Sequence, residues 1–425
     1  MRLLEFYSIS TVFATALQKL TAENAVRSTS FLLASRACPC RGAAAERCTQ
    51  FLHTLRKTTH RIGKLICNLA YSGVYFHVIA SSDHFINRKV FFMTKKIAFV
   101  GCGHIHTPAF VNMVNAREGL EVAAVWDHDT ARAQMNAEKL HSKVVSDVEE
   151  IWNDPEITAV VICSETNRHT DLVFRAASAK KHMFVEKPLG FSAEEAQQMA
   201  DAVKAAGVIF QTGYFMRGLP VHQFLKQQIE AGNFGRITRI RHSNCHSGSL
   251  GGWFDTEWRW MADPSIAGCG AFGDLGTHSL DILMWLMGKP EKVMASIHTL
   301  TGRYGENCDE YGEGMMVYAD QTIASISAGW VDIANPVVCE ICGTEGHAVY
   351  VNEQLFFQSK YVEGADGKTP WTDLPATLPH AFELFLDRYM DGKDVPLISV
   401  QDAADRNLVM GALYQADKTG EWVKI

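Results

Sequence analysis

Lys96-Ile-Ala-Phe-Val100 runs directly into Gly101-Cys-Gly103-His-Ile-His106. The first five residues have the length and apolar content of a strand buried in a parallel sheet. Thr107–Arg117 reads as the helix opened by the glycine turn, with Pro108 tolerated in its first turn. Strand, glycine turn and helix together form the context of a dinucleotide fingerprint. Gly101 permits the tight turn, and Gly103 lets the backbone approach a pyrophosphate that the helix N-terminus stabilises. The third fingerprint position holds His106, where glycine or alanine allows close helix–strand packing. Either the helix stands slightly off the sheet or the imidazole points into the cofactor groove. His104 and His106, with Ile105 between them, are expected to line the nicotinamide or phosphate region. Two histidines in a glycine turn do not by themselves make a metal site, and no metal is expected.

Outward from this turn, Glu121-Val-Ala-Ala-Val-Trp126 is the next strand and ends at Asp127, 24 residues after Gly103. A carboxylate there accepts the hydroxyls of an adenosine ribose and repels a 2′-phosphate, so NAD is expected over NADP. His128 and Arg132 are placed to soften that preference, and Asp127 alone also reads as an acidic loop residue. Ala159-Val-Val-Ile-Cys163, His182-Met-Phe-Val185 and Val208-Ile-Phe-Gln-Thr212 are further strands. A helix after Ser164–Thr170 and an amphipathic one over Ser192–Ala206 separate them. This alternation means an α/β doubly wound parallel sheet, a Rossmann arrangement.

The chain's 425 residues exceed one ordinary core, and two domains with an appendage are expected. The divisions fall at 1–92, 93–213 and 214–425. Residues 1–92 carry 12 Lys and Arg against 4 Asp and Glu, a net +8, which leaves 28 against 43 and a net −15 for residues 93–425. So acidic a body lacks the clustered cations of a nucleic-acid binder. Residues 1–92 show no period or turn grammar and read as upstream sequence before a start at Met93, with a targeting segment as the alternative. Leu65–Ser82 is uncharged yet too polar for a membrane span. The 11 cysteines form no disulfide or zinc framework; Cys339 and Cys342 lie in a strand and point to opposite faces. Scattered thiols fit a reducing, cytoplasmic setting.

At Glu186-Lys187-Pro188 the chain resembles the oxidoreductases named after glucose–fructose oxidoreductase, inositol dehydrogenase and the rhizopine-catabolism protein MocA. The resemblance covers essentially all of residues 93–425. It rests on the glycine turn, Asp127, the Glu-Lys-Pro triplet and Gly268-Cys-Gly270-Ala-Phe-Gly-Asp274-Leu-Gly-Thr-His278-Ser-Leu-Asp281, which leads into an apolar helical run. Spacings of four and seven put Asp274, His278 and Asp281 on roughly one helix face. The resemblance implies His278 as general acid/base, Asp274 as its hydrogen-bonding partner and Lys187 as a cationic donor to the reacting oxygen. Asp281 matches a family position and reads as structural. Hydride transfer from an alcohol leaves a proton for a histidine to carry, and a lysine stabilises developing alkoxide. Lys187, Asp274 and His278 are thus the expected catalytic group, with Glu186 and Lys187 also beside the cofactor.

The sequence departs from the family pattern at Cys269 and at Ser164-Glu165-Thr166, where Thr-Pro-Asn is common. Ser164, Thr166 and His169 remain expected cofactor contacts, His169 serving either there or as a local cap, and Glu165 is expected near the nicotinamide ribose. The second half is expected to be an α+β domain with a large, mostly antiparallel open sheet, through which the resemblance implies a homodimer or homotetramer. Tyr214, Arg217 and the loop holding His246, Trp253, Trp258, Arg259 and Trp260 offer aromatic faces and polar edges for a sugar or cyclitol; Tyr214 and Arg259 are the expected substrate contacts. The tryptophans read equally as cover for the sheet edge. Two rival functions stand: an NADPH-dependent reductase of keto-sugars or dihydrodiols, and a non-catalytic regulator of the same fold.

Overall fold

β1 (Lys95–Cys102) is the central strand of a five-stranded sheet, and its apolar run is fully buried because helices cover both faces. The computed structural model describes residues 94–425, with the backbone of two short strands, Ala70–Tyr71 and Val74–Tyr75, that pair antiparallel. The readings given above for residues 1–92 otherwise lie outside the described residues. The chain divides at Phe92/Met93, and residues 93–425 form one unit.

In that unit β1 is followed by α1 (Thr107–Asn115), β2 (Leu120–Trp126), α2 (Thr130–Lys139), α3 (Glu149–Asn153), β3 (Ile157–Cys163), α4 (His169–Ser178), β4 (His182–Val185), α5 (Ala193–Ala206) and β5 (Phe210–Thr212). The strands pair in parallel in the order β2-β1-β3-β4-β5. Capping explains two helix starts: Asp129 accepts from the Ala131 and Arg132 amides, and Ser192 from that of Glu195.

The second sheet follows α6 (Pro220–Glu230). Its strands are β6 (Ile237–Cys245), β7 (Lys292–His298), β8 (Tyr311–Val317), β9 (Ile323–Gly329), β10 (Val337–Gly343), β11 (Gly346–Val351), β12 (Gln354–Ser359), β13 (Asp366–Pro370) and β14 (Val423–Lys424). They lie in the order β13-β12-β11-β10-β6-β9-β8-β7-β14, antiparallel except where β9 joins β6. α7 (Ala271–Met287) lies on one face of this sheet, buried along nearly its whole length. Small residues make the contact close: a Cβ on Gly276 would sit 3.4 Å from the Ala328 side chain.

The C-terminal segments return to the first sheet. α8 (Ala381–Asp391) places Phe382 and Phe385 in one apolar cluster with Phe99, Phe110 and Phe184, and α9 (Val400–Thr419) packs Ala403 and Ala404 against the other face. Parts of the 214–425 segment therefore complete the core of the nucleotide-binding half. Among the described residues no helix is long and apolar enough to cross a membrane.

Candidate active site

The end of β4 and the first turns of α7 meet across 87 positions of sequence. Lys187 Nζ donates to Asp274 Oδ1 at 2.6 Å and to the Asp274 carbonyl at 3.2 Å. Asp274 Oδ2 accepts from Trp330 Nε1 at 3.2 Å. Burial alone depresses the Lys187 ammonium, but the charge and hydrogen bond of Asp274 outweigh it and hold the pKa above the usual lysine value. Burial likewise raises Asp274, and Lys187 overrides this to bring the carboxyl down to about 2. The pair is an ammonium carboxylate with the lysine buried and the aspartate partly so.

His278, one turn further on, is buried with its ring against Phe215 and Tyr214 at centroid distances of 5.4 and 6.0 Å. Asp274 is not its hydrogen-bonding partner as expected, because both Asp274 oxygens are occupied by Lys187 and Trp330. His278 Nδ1 has no partner among the described residues. Burial first, and then the charge of Lys187, hold the imidazole well below its ordinary pKa, so it is neutral.

Other expected contacts are spent elsewhere. The Tyr214 hydroxyl pairs with Thr277 Oγ1 at 2.8 Å in the interior, which makes Tyr214 a wall of the site. Arg259 is exposed, stacked 4.6 Å over the Tyr304 ring, and makes no hydrogen bond to Lys187, Asp274 or His278. Arg217 and Arg406 both donate to Asp281 at 2.8 and 2.9 Å, so Asp281 fastens α7 to the chain around it. Breaking such a buried pair costs about 3–5 kcal/mol.

At the glycine turn, the buried His104 accepts the His106 amide on Nδ1 at 3.2 Å, and burial lowers its pKa to about 3. His106 turns toward the Glu-Lys-Pro triplet and pairs with Glu186 Oε1 at 3.0 Å; Glu186 Oε2 accepts the Lys187 amide at 3.0 Å. Burial raises the Glu186 carboxyl, but the facing imidazoles and Lys187 outweigh it and keep it ionised. His104, His106 and Glu186 also gather donors of the kind that hold a metal ion, all within 4.8 Å of one another. Trp260 Nε1 donates to the Gly103 carbonyl at 2.8 Å, roofing the turn.

The turn fits a dinucleotide. Gly101 has φ +83°, and a Cβ there would lie 2.4 Å from Ser164 Cβ, so the glycine lets the β1 and β3 ends close together. Ser164 and Thr166 are buried behind it, and Ile105 packs on the second core. His169 is not free to touch a ligand: its ring nitrogens lie 3.1 Å from the Pro188 carbonyl and 3.3 Å from that of Ser164, bracing the two loops. Glu165, expected near the nicotinamide ribose, is instead joined to Asp127 through Arg132, whose Nη2 lies 2.7 Å from Glu165 Oε1 and 2.8 Å from Asp127 Oδ1. Sequence reading missed the parts of Trp330, Phe215 and the Arg132 bridge. They approach the site through tertiary packing, and no motif marks them.

A nucleotide fold carrying a lysine–aspartate–histidine group where it meets a second, antiparallel sheet defines a two-part, dinucleotide-dependent oxidoreductase. Residues 95–214 match the oxidoreductase family with an NAD-binding Rossmann fold, and residues 222–349 match the GFO/IDH/MocA C-terminal domain. The chain belongs to this Gfo/Idh/MocA oxidoreductase family. It is 30% identical to levoglucosan dehydrogenase of Pseudarthrobacter phenanthrenivorans, over 53% of this chain and 65% of that protein. It is equally 30% identical to scyllo-inositol 2-dehydrogenase (NAD(+)) of Bacillus subtilis, over 59% of this chain and 72% of that one. A levoglucosan dehydrogenase structure in complex with NADH and levoglucosan shares the fold, with a TM-score of 0.65 at 23% identity over 78% of this chain and 99% of that one.

Proposed function

We infer that the protein is an NAD-dependent oxidoreductase that transfers hydride between nicotinamide and a CH–OH carbon of a sugar, cyclitol or related polyhydroxylated molecule. The observation that carries the reading is the partly buried Lys187–Asp274 pair beside a neutral His278 whose Nδ1 is unpartnered among the described residues. NAD supplies the hydride acceptor, or in the reverse direction the donor. Lys187, held cationic by Asp274, donates to the substrate oxygen and stabilises negative charge as the C–O bond changes order. His278 takes the hydroxyl proton in oxidation and returns it in reduction. Asp274 positions Lys187, and Trp330 fixes Asp274. The carboxylates of Asp127 and Glu165 at the β2 and β3 ends favour NAD over a 2′-phosphorylated cofactor.

The names of the relatives, levoglucosan and inositol dehydrogenases, support a polyhydroxylated ring as substrate. The outer sheet face, which exposes Met315 and Ile323, is the surface we assign to self-association. The test is a scan of the full chain against sugars, cyclitols and sugar acids with NAD and NADP, and against keto-sugars with NADH. NADH formation on one hydroxyl pattern supports the reading. Cofactor binding without turnover in either direction overturns it in favour of a regulator.

A further inference from the structure

Asp127 is surrounded. Its Oδ2 accepts from the Cys102 amide at 2.7 Å and from Arg132 Nε at 2.8 Å. Its Oδ1 accepts from the Asp129 amide at 2.9 Å and from Arg132 Nη2 at 2.8 Å. Four donors in this geometry leave the carboxylate little capacity for a ligand's hydroxyls.

Glu165 is in the opposite condition. It is 6% exposed, and only Oε1 is engaged, by Arg132. Oε2 is buried without a hydrogen-bond partner, with His128 Nδ1 and Arg168 Nε each 3.6 Å away. Both cations stand beyond hydrogen-bond reach, so Oε2 is a buried acceptor with no hydrogen bond made, and such an atom marks a place for a ligand's donor. The glycine turn locates that place: a Cβ on Gly103 would come within 3.1 Å of Glu165 Oε1 and 3.0 Å of Arg132 Nη1. The two side chains thus lie over the face that a pyrophosphate approaches, on the Asp127 side, where the adenosine ribose of a dinucleotide follows.

We propose that Glu165 is the residue that accepts the adenosine ribose hydroxyls of the cofactor, through Oε2, and that Asp127 is a positioning residue that holds Arg132 and, through it, Glu165. This rests on the reading of the protein as an NAD enzyme and changes which carboxylate reads the ribose. It also gives a role to the Glu165 departure from the Thr-Pro-Asn pattern: proline at this position has no acceptor side chain.

The experiment measures the affinity of the full chain for NADH, ADP and 2′,3′-dideoxy-ADP by calorimetry, in the wild type, Glu165→Ala, Glu165→Gln and Asp127→Asn. A charge-assisted hydroxyl contact predicts that the wild type prefers ADP over the dideoxy analogue by about tenfold. That preference falls to about onefold in Glu165→Ala. Glu165→Gln, which keeps one acceptor oxygen, retains part of it. Because both ligands meet the same protein, a merely structural effect weakens them equally and leaves their ratio unchanged. The proposal is overturned if Glu165→Ala keeps the wild-type ratio, and most directly if it does so while Asp127→Asn abolishes the ratio. A wild type that binds neither NADH nor ADP overturns the NAD reading itself, a result distinct from binding that ignores Glu165.

Discussion

Lys187 Nζ and Asp274 Oδ1 stand 2.6 Å apart, joining the end of β4 in the nucleotide-binding sheet to the first turn of α7. The pair fixes which group carries charge and which carries the proton. With Asp274 committed to Lys187, His278 is left as the neutral, unpartnered base.

Lys187→Met removes the cation aimed at the reacting oxygen. The expected result is a fall in kcat of about 10²–10³-fold, the size seen on losing one electrostatic donor, with NADH affinity nearly unchanged. Steady-state kinetics with calorimetry of NADH binding checks this, and an unaltered kcat contradicts it.

His278→Ala abolishes turnover and leaves NAD affinity nearly unchanged. Burial and Lys187 hold the wild-type imidazole well below its ordinary value, so it remains deprotonated throughout the neutral range. The profile of kcat/KM for alcohol oxidation in the wild type therefore shows no acid limb near pH 6.5, the ordinary imidazole value. A limb there refutes the assignment, as does loss of NAD binding in the variant.

Behind α7, His222 donates through Nδ1 to the Met216 carbonyl at 2.8 Å, His242 pairs with it at 3.1 Å, and Ser279 completes the chain at 2.8 Å. Burial lowers His222 to about 4 and His242 well below its usual value. Because the folded values lie below the unfolded ones, this stability is fully present above pH 6.5 and is lost as pH falls toward 4. Urea midpoints measured over this interval are expected to decline, and less so in His222→Gln; equal declines contradict the account.

The nucleotide half was legible because local pattern and global fold agree there. Ile97–Val100 is buried on both faces, and Gly101 takes the positive φ that its turn demands. The second half was less so. β12, β13, β14 and α8 went unread: β12 follows a two-residue turn, β13 and β14 are short, and the Phe382–Phe385 helix packs on the opposite domain. The family resemblance brought Lys187, Asp274 and His278 to one place, but it paired Asp274 with His278, whereas the structure pairs Asp274 with Lys187. The choice of Lys187 over His278 as partner of Asp274 depends on where β4 ends relative to α7, a long-range relation that no local sequence window contains. The same holds for Tyr214 and Arg259, whose polar ends are taken up by Thr277 and Tyr304.

Direct transfer of hydride at this site is tested by labelling the carbinol carbon of whichever polyhydroxylated substrate the scan identifies with deuterium and following the label by NMR. The account predicts that deuterium appears on C4 of the nicotinamide in the wild type, stoichiometric with NADH, and that transfer collapses in Lys187→Met and His278→Ala. Label released to water, or transfer undiminished in both variants, would contradict it.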